Sequence, residues 1–264
     1  MCFRLMSSIA AVLVTLVAGT VRADEPVTLT IGVTAGPHAQ IFEVVKPIAA
    51  KAGLIVKIVE FSDYNIPNAA LAAGDLQANS FQHRPYLDNQ IKDRGYDLVS
   101  AAPTVVFPMG IYSRQVKQLS DLPTEAIVAI PNDPTNGGRA LLLLQAQGLL
   151  TLRDGVGIRG TVLDLVANPK SLKLKELDAA QLPRSLDDVA AAAINTNYAL
   201  EAGLNPLTDA VARESPDSPY TNVIAVRRAD AGQPWVATLV AAYHAPEVRQ
   251  FILDHFKGAV VPGW

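Results

Sequence analysis

Ala126–Ile130 (AIVAI), Pro131–Arg139 (PNDPTNGGR) and Ala140–Leu144 (ALLLL) follow one another without a break. They read as a buried strand, a loop of turn formers and an apolar helix. The start of such a helix has free backbone N–H groups and the positive end of a dipole. Asn136 reads as the cap, Gly137 and Gly138 as residues that let a ligand come close, and Arg139 as a forked cation suited to a carboxylate. A strand–loop–helix of this kind is where α/β folds place anionic ligands. The same residues also fit an ordinary capped helix with a solvated Arg139.

Upstream, Thr28–Val33 and Leu54–Phe61 read as strands around a helix over Ala39–Lys51, whose apolar positions Ile41, Val44, Val45 and Ile48 keep helical spacing. A short helix over Asn68–Ala73, a strand near Leu76–Ser80 and a helix over Pro85–Arg94 follow, and the apolar run Leu98–Tyr112 leads out as further strand. This alternation argues for a parallel sheet covered by helices. The pattern restarts near Gln115, with a half-exposed strand over Leu172–Leu177 and a short strand of small residues, Ala190–Ile194, running into Asn195-Thr196-Asn197-Tyr198. Thr221–Val226 reads as a strand returning to the first half, with terminal helices from Pro234 to about Lys257. No long flexible linker and no internal repeat separates the halves. The expectation is therefore an α/β protein of two lobes, each a mainly parallel sheet flanked by helices, joined by short crossovers with a ligand cleft between them. Residues 24–111 with 222–264 are assigned to the first lobe and 112–221 to the second.

The N-terminus carries Arg4, an uncharged apolar run from Ile9 to Gly19, and Val21-Arg22-Ala23 ahead of Asp24. That is the layout of a secretory leader over residues 1–23, cut after Ala23, and it is too short to span a bilayer. The one cysteine, Cys2, lies inside the leader, so the mature chain has neither disulfides nor cysteine chemistry. Removing Arg4 and Arg22 from the 22 basic residues leaves 20 against 25 acidic ones, about −5. No basic stripe of a nucleic-acid binder is present, and about 240 mature residues suit two modest cores.

Few patterns point to catalysis. Gly155-Val156-Gly157-Ile158-Arg159-Gly160 matches a dinucleotide-binding glycine spacing, but no long buried strand precedes it, and a glycine-rich loop is the better account. His38, His83, His244 and His255 have no ligand-type spacing, so neither metal nor cofactor is expected. No Gly-x-Ser-x-Gly elbow occurs, and enzymatic function has no positive support; an exported hydrolase using His83 is the competing class. A second cluster stands out at Phe81-Gln82-His83-Arg84-Pro85-Tyr86, again at a strand-to-helix junction. Phe81, His83 and Tyr86, with Tyr64 from an earlier strand end, can wall one side of a cleft for an apolar, polarizable ligand. Equally, Phe81 and Tyr86 can be core residues and His83 a helix cap.

Together these segments resemble the methionine-binding family of ABC-transporter substrate-binding proteins that includes the NlpA lipoproteins. The matching blocks run from Phe61-Ser62-Asp63-Tyr64 to Pro67-Asn68, then Asn79–Leu87 and Asp93-Arg94-Gly95-Tyr96. Pro131–Arg139, Asp154–Gly157, Gln181–Ser185, Ile194-Asn195-Thr196 and the ending from Gly258-Ala259-Val260 to Gly263-Trp264 continue the match, which covers nearly the whole mature chain. The resemblance implies a two-lobed periplasmic receptor, acting as a monomer, that delivers methionine to a membrane permease with its ATPase. It further implies that Tyr64, Phe81, His83 and Tyr86 surround the ligand side chain and that Arg139 clamps the carboxylate beside Asn136. Asn195 and Asn222 would hold the amino-acid backbone, although Asn197, two positions on, is equally placed to do so. A methionine-containing dipeptide, a methionine derivative or another apolar amino acid are the alternative ligands. One departure is the missing lipidated cysteine, since Cys2 is misplaced for that role; it implies a freely diffusing receptor, or a misassigned start codon.

Overall fold

The computed structural model describes residues 25–264, so the expected leader and its cleavage point lie outside the described residues. The chain forms β1 (Val27–Thr34), α1 (Pro37–Lys51), β2 (Leu54–Phe61), α2 (Ile66–Ala73), β3 (Ala78–His83), α3 (Arg84–Arg94) and β4 (Leu98–Val106). It crosses through Phe107-Pro108-Met109 into β5 (Gly110–Tyr112), then β6 (Ile127–Pro131), α4 (Pro134–Ala146), β7 (Thr151–Leu152) and β8 (Leu165–Ala167). Next come β9 (Lys173–Leu177), α5 (Leu182–Ser185), β10 (Ala191–Ile194), α6 (Thr196–Glu201) and β11 (Ala210–Arg213). A return through residues 214–220 leads to β12 (Thr221–Arg227), α7 (Pro234–Tyr243), α8 (Pro246–Phe256) and β13 (Val261–Pro262).

The main sheet of the first lobe has the order β13-β4-β12-β3-β1-β2 and that of the second β11-β5-β10-β6-β9, while β7 pairs with β8 in a separate two-stranded sheet. Each lobe has its own core. In the first lobe Ile31, Val33, Phe42 and Val45 pack with Ile224, Leu239 and Ile252 on one face, and Leu71, Leu87 and Val223 on the other. In the second, Val128, Ile130, Leu141 and Leu144 lie on one side and Leu182, Ile194 and Tyr198 on the other. Gly110–Tyr112, expected in or at the edge of the first lobe, pairs instead in the second sheet.

The sheets are less parallel than expected. β1 runs parallel to β2 and β3, and β6 to β9 and β10. β12 is antiparallel to β3 and β4, β13 to β4, and β5 to β10 and β11. A parallel neighbour requires a helical crossover within the same sheet. β5 and β12 arrive straight from the other lobe, with no such helix to set their direction.

Two local readings change. β3 runs on to His83, further than the expected end at Ser80, so Phe81, Gln82 and His83 are buried strand residues. Asp133, not Asn136, caps α4: its carboxylate accepts the Asn136 N–H at 2.9 Å, with Pro134 in the first turn. Proline has no N–H to satisfy there, so the helix starts earlier than an Asn136 cap would allow. The glycines of this turn serve the backbone rather than a ligand. A Cβ on Gly137 would meet Pro131 O at 2.9 Å, and one on Gly138 would meet Ile158 O at 2.5 Å. The glycine-rich loop thus packs its carbonyls directly on α4.

Gly138→Ala tests that contact. Helix propensity alone favours alanine by about 1 kcal/mol, whereas forcing a methyl against fixed backbone costs about 1–3 kcal/mol. Urea denaturation should show a net loss of stability; a variant as stable as the parent protein would contradict the packing described.

Candidate functional site

The first lobe supplies an aromatic wall. His83 ends β3 and caps α3, its Nδ1 accepting the Tyr86 N–H at 3.1 Å. Tyr64 comes from the loop between β2 and α2. The rings of Tyr64, Phe81 and Tyr86 stand 6.0 Å apart in each pairing, tilted or edge-on, as aromatic quadrupoles prefer. Tyr86 OH donates to Tyr64 O at 3.0 Å and holds that loop against α3. Behind the wall, Gln82 exchanges hydrogen bonds with Asn68 at 2.6 and 2.7 Å, which ties β3 to α2.

The second lobe supplies polar groups, and most of Asn136 is already engaged. Its Nδ2 donates to both Asp133 oxygens, at 2.9 and 3.1 Å. Its Oδ1 accepts from Asn195 Nδ2 at 2.8 Å and pairs with His83 Nε2 at 3.1 Å. Because His83 Nδ1 is an acceptor, Nε2 carries the ring proton and donates across the cleft. Asn136 is therefore a hub joining the lobes, with no spare donor. The helix dipole is occupied too, since Asp133 takes the end of α4 that an anionic ligand was expected to use. Burial pushes the Asp133 carboxyl up, and hydrogen bonds from Asn136 and Thr135 oppose that shift.

Arg139 is 2 % exposed and is held from several sides. Nε donates to Glu214 Oε1 at 2.9 Å, and Nη2 donates to Glu214 Oε2 at 2.6 Å and to Phe107 O at 2.7 Å. The guanidinium carbon lies 4.1 Å from the centre of the Tyr220 ring, a cation–π contact. Among the described residues, Nη1 has no hydrogen-bond partner.

All eight expected site residues, Tyr64, Phe81, His83, Tyr86, Asn136, Arg139, Asn195 and Asn222, line one cavity between the lobes, with Gln82, Phe107 and Asn197. The space around it not filled by protein atoms, part of it open to solvent, is about 310 Å³. Both Asn195 and Asn197 line the cavity. Asn195 Oδ1 and Asn197 Nδ2 are buried without a partner among the described residues. Asn222 Nδ2 makes only a long 3.4 Å contact to Tyr220 O. Tyr64 OH donates to Asn197 Oδ1 at 2.6 Å across the cleft, and burial keeps its phenol protonated by raising its pKa. Tyr64 and Tyr86 also border a larger outer groove of about 1260 Å³, so their rings stand between the cavity and the cleft mouth.

Glu214, Tyr220 and Phe107 were not anticipated. Glu214 pairs with a residue 75 positions away, and no local spacing marks such a partner. Among the described residues no group of His, Cys, Asp or Glu is arranged to hold a metal ion, and no helix is long and apolar enough to cross a membrane.

Two lobes with separate sheets, joined by short crossovers and meeting over a small mixed aromatic–polar cavity, define a two-lobed substrate-binding protein. The chain belongs to the NlpA lipoprotein family, whose profile matches residues 29–264. It is 47% identical to the D-methionine-binding lipoprotein MetQ of Salmonella typhimurium, over 99% of this chain and 98% of that one. Among solved structures it is similar to a nutrient-binding protein from Burkholderia cenocepacia bound to methionine, at 56% identity and a TM-score of 0.88, covering 89% of this chain and 100% of that one. It is also similar to a periplasmic substrate-binding protein of an ABC transporter from Coxiella burnetii, at 50% identity and a TM-score of 0.86, over 89% and 100% of the two chains. The lipoprotein names of the family and of the Salmonella relative contradict the expectation of an unlipidated receptor. Cys2 itself lies outside the described residues.

His83 has consequences for pH. Burial, and next the Arg139 charge, bring its pKa down to about 3, against the pull of its bond to Asn136. Burial does the same to His38, also to about 3. A proton on His83 Nδ1 would set two donors face to face at Tyr86. In the unfolded chain both rings titrate near the ordinary value, so below about pH 6.5 the unfolded state binds more protons and stability falls as pH falls. The slope approaches about 1.4 kcal/mol per pH unit for each histidine. Denaturation at pH 7.5 and pH 5.5 should show this loss, and equal stability at the two values would contradict the buried, neutral state of these rings.

Proposed function

We propose that this chain captures methionine between its lobes and hands it to an ABC importer made of a permease and its ATPase. The observation that carries this reading is the match between the polar atoms left unpartnered around the cavity and the poles of an amino acid. Arg139 Nη1, left over by the bonds of Nε and Nη2, and the buried Asn197 Nδ2 are donors for a carboxylate, and the buried Asn195 Oδ1 is an acceptor for an ammonium group. The three-ring cage of Tyr64, Phe81 and Tyr86, together with His83, receives the side chain. Sulfur–aromatic contacts contribute about 0.3–1.5 kcal/mol each, which favours a thioether over an alkane of the same shape. The ligands named for the Salmonella and Burkholderia proteins support the same assignment.

A binding role fits the site better than a catalytic one. A general base works best with a pKa near the operating pH, whereas His83 is held at about 3 with both ring nitrogens hydrogen-bonded. The substrate-binding character of the family supports the same view. The apolar leader over residues 1–23 supports export, which would place the receptor outside the cytoplasm, where a substrate-binding protein meets its solute.

The test is native mass spectrometry of the purified protein, then calorimetry against methionine, norleucine, leucine and a methionine-containing dipeptide. Methionine should bind most tightly; equal or tighter binding of leucine or of the dipeptide would sink the assignment. Arg139→Ala would strand Glu214, so Arg139→Lys, which keeps the charge and loses the fork, is the cleaner variant. Loss of a charge-assisted hydrogen bond costs about 1.5–3 kcal/mol, roughly one to two decades in affinity. Unchanged methionine affinity in Arg139→Lys would remove Arg139 as the carboxylate clamp.

A further inference from the structure

Glu214 lies on the returning crossover between β11 and β12, outside the groups assigned to the ligand. Its carboxylate takes Nε and Nη2 of Arg139 at 2.9 and 2.6 Å. The same Oε2 accepts the Met109 N–H of the outgoing crossover at 2.8 Å, and Glu214 N–H donates to Met109 O at 3.0 Å. Arg139 Nη2 reaches that outgoing crossover independently, at Phe107 O. One edge of the guanidinium is thus fixed to both interlobe crossovers, and Nη1 is left over. A side chain with several rotatable bonds has no reason to present that nitrogen consistently unless something holds its other edge.

We infer that Glu214 is a positioning residue for ligand capture: it orients Arg139 so that Nη1 meets the ligand carboxylate, and it anchors that orientation to both crossovers. This rests on the reading of Arg139 as the carboxylate clamp. It also makes a claim opposite to simple electrostatics. A carboxylate this close to the clamp repels the carboxylate of the ligand, so removing its charge should by itself tighten binding. If Glu214 acts by orienting Arg139, removing or retracting it weakens binding.

The test compares L-methionine with L-methioninol, which keeps the side chain and amine and lacks the carboxylate. The affinity ratio reads the carboxylate contact alone, because a general loosening of the site weakens both ligands alike. The parent protein should prefer methionine. Glu214→Gln, and Glu214→Asp, which keeps the charge but withdraws it by one methylene, should each lower that preference on the order of tenfold, the scale of one misaligned charge-assisted hydrogen bond. A ratio that stays the same or grows in a folded variant overturns the proposal, while the clamp reading stands if Arg139→Lys still loses affinity. No preference for methionine in the parent protein overturns both. Nitrogen NMR of the parent protein gives a measurement that does not depend on the variants folding. The Arg139 Nε–H should be protected from solvent exchange before and after methionine is added, and a rapidly exchanging Nε–H overturns the proposal.

Discussion

Burying the Arg139 guanidinium where the two lobes meet sets terms for everything around it. An isolated charge taken out of water costs several kcal/mol, so the cation needs a matched anion and further acceptors at fixed positions. Glu214 and Phe107 O provide them, and both lie on the crossovers rather than within either lobe's sheet. The Tyr220 face covers what remains. Among the described residues the chain passes between lobes at these two crossovers, so the buried cation and the joint between the lobes are built from the same atoms. A change in the lobe angle would therefore act on the Arg139 side chain directly.

The rest of the cavity follows a division between satisfied and unsatisfied polar atoms. Asn136 spends all its hydrogen-bonding capacity on Asp133, Asn195 and His83, and Gln82 is bound by Asn68 and Asn79. These residues line the cavity but act as framework. The bond to Asn136 leaves Asn195 Oδ1 open, and the bond from Tyr64 to Asn197 Oδ1 leaves Asn197 Nδ2 open. His83 belongs to both groups, since its ring walls the cavity while its two nitrogens tie α3 to α4. Its neutrality follows from burial and from the nearby Arg139 charge.

The fold class was legible from periodicity because alternation of strands and helices is local information. The aromatic wall was legible for a similar reason: Phe81, His83 and Tyr86 are neighbours in sequence, and strand geometry places Phe81 and His83 on one face. The meaning of PNDPTNGGR was only half legible. The helix start was visible, but its anion is Asp133, a residue of the loop itself, and its glycines answer to carbonyls of residues 131 and 158. Glu214 could not be read at all, because an ion pair across 75 residues leaves no spacing. Strand direction failed where the chain changes lobes, since the rhythm of a βαβ unit says nothing about a strand that enters from elsewhere.

On the reading proposed above, the two lobes would contribute different kinds of binding energy, and that difference would couple closure to the ligand. The aromatic wall is built from first-lobe residues, and Tyr64 also packs on Tyr198 of the second lobe, with ring centres 4.9 Å apart. Asn195 Oδ1 and Asn197 Nδ2 belong to the second lobe and are buried without a partner among the described residues. An unsatisfied buried polar atom costs about 1–3 kcal/mol, so closure without a zwitterion carries that cost twice over. The interlobe bonds Tyr64–Asn197 and His83–Asn136 offset part of it. A ligand with an ammonium and a carboxylate at the right separation removes the remainder, and one lacking either pole does not. On that reading, specificity for the amino-acid backbone would rest on these buried second-lobe atoms, while the side chain would be read by the aromatic wall.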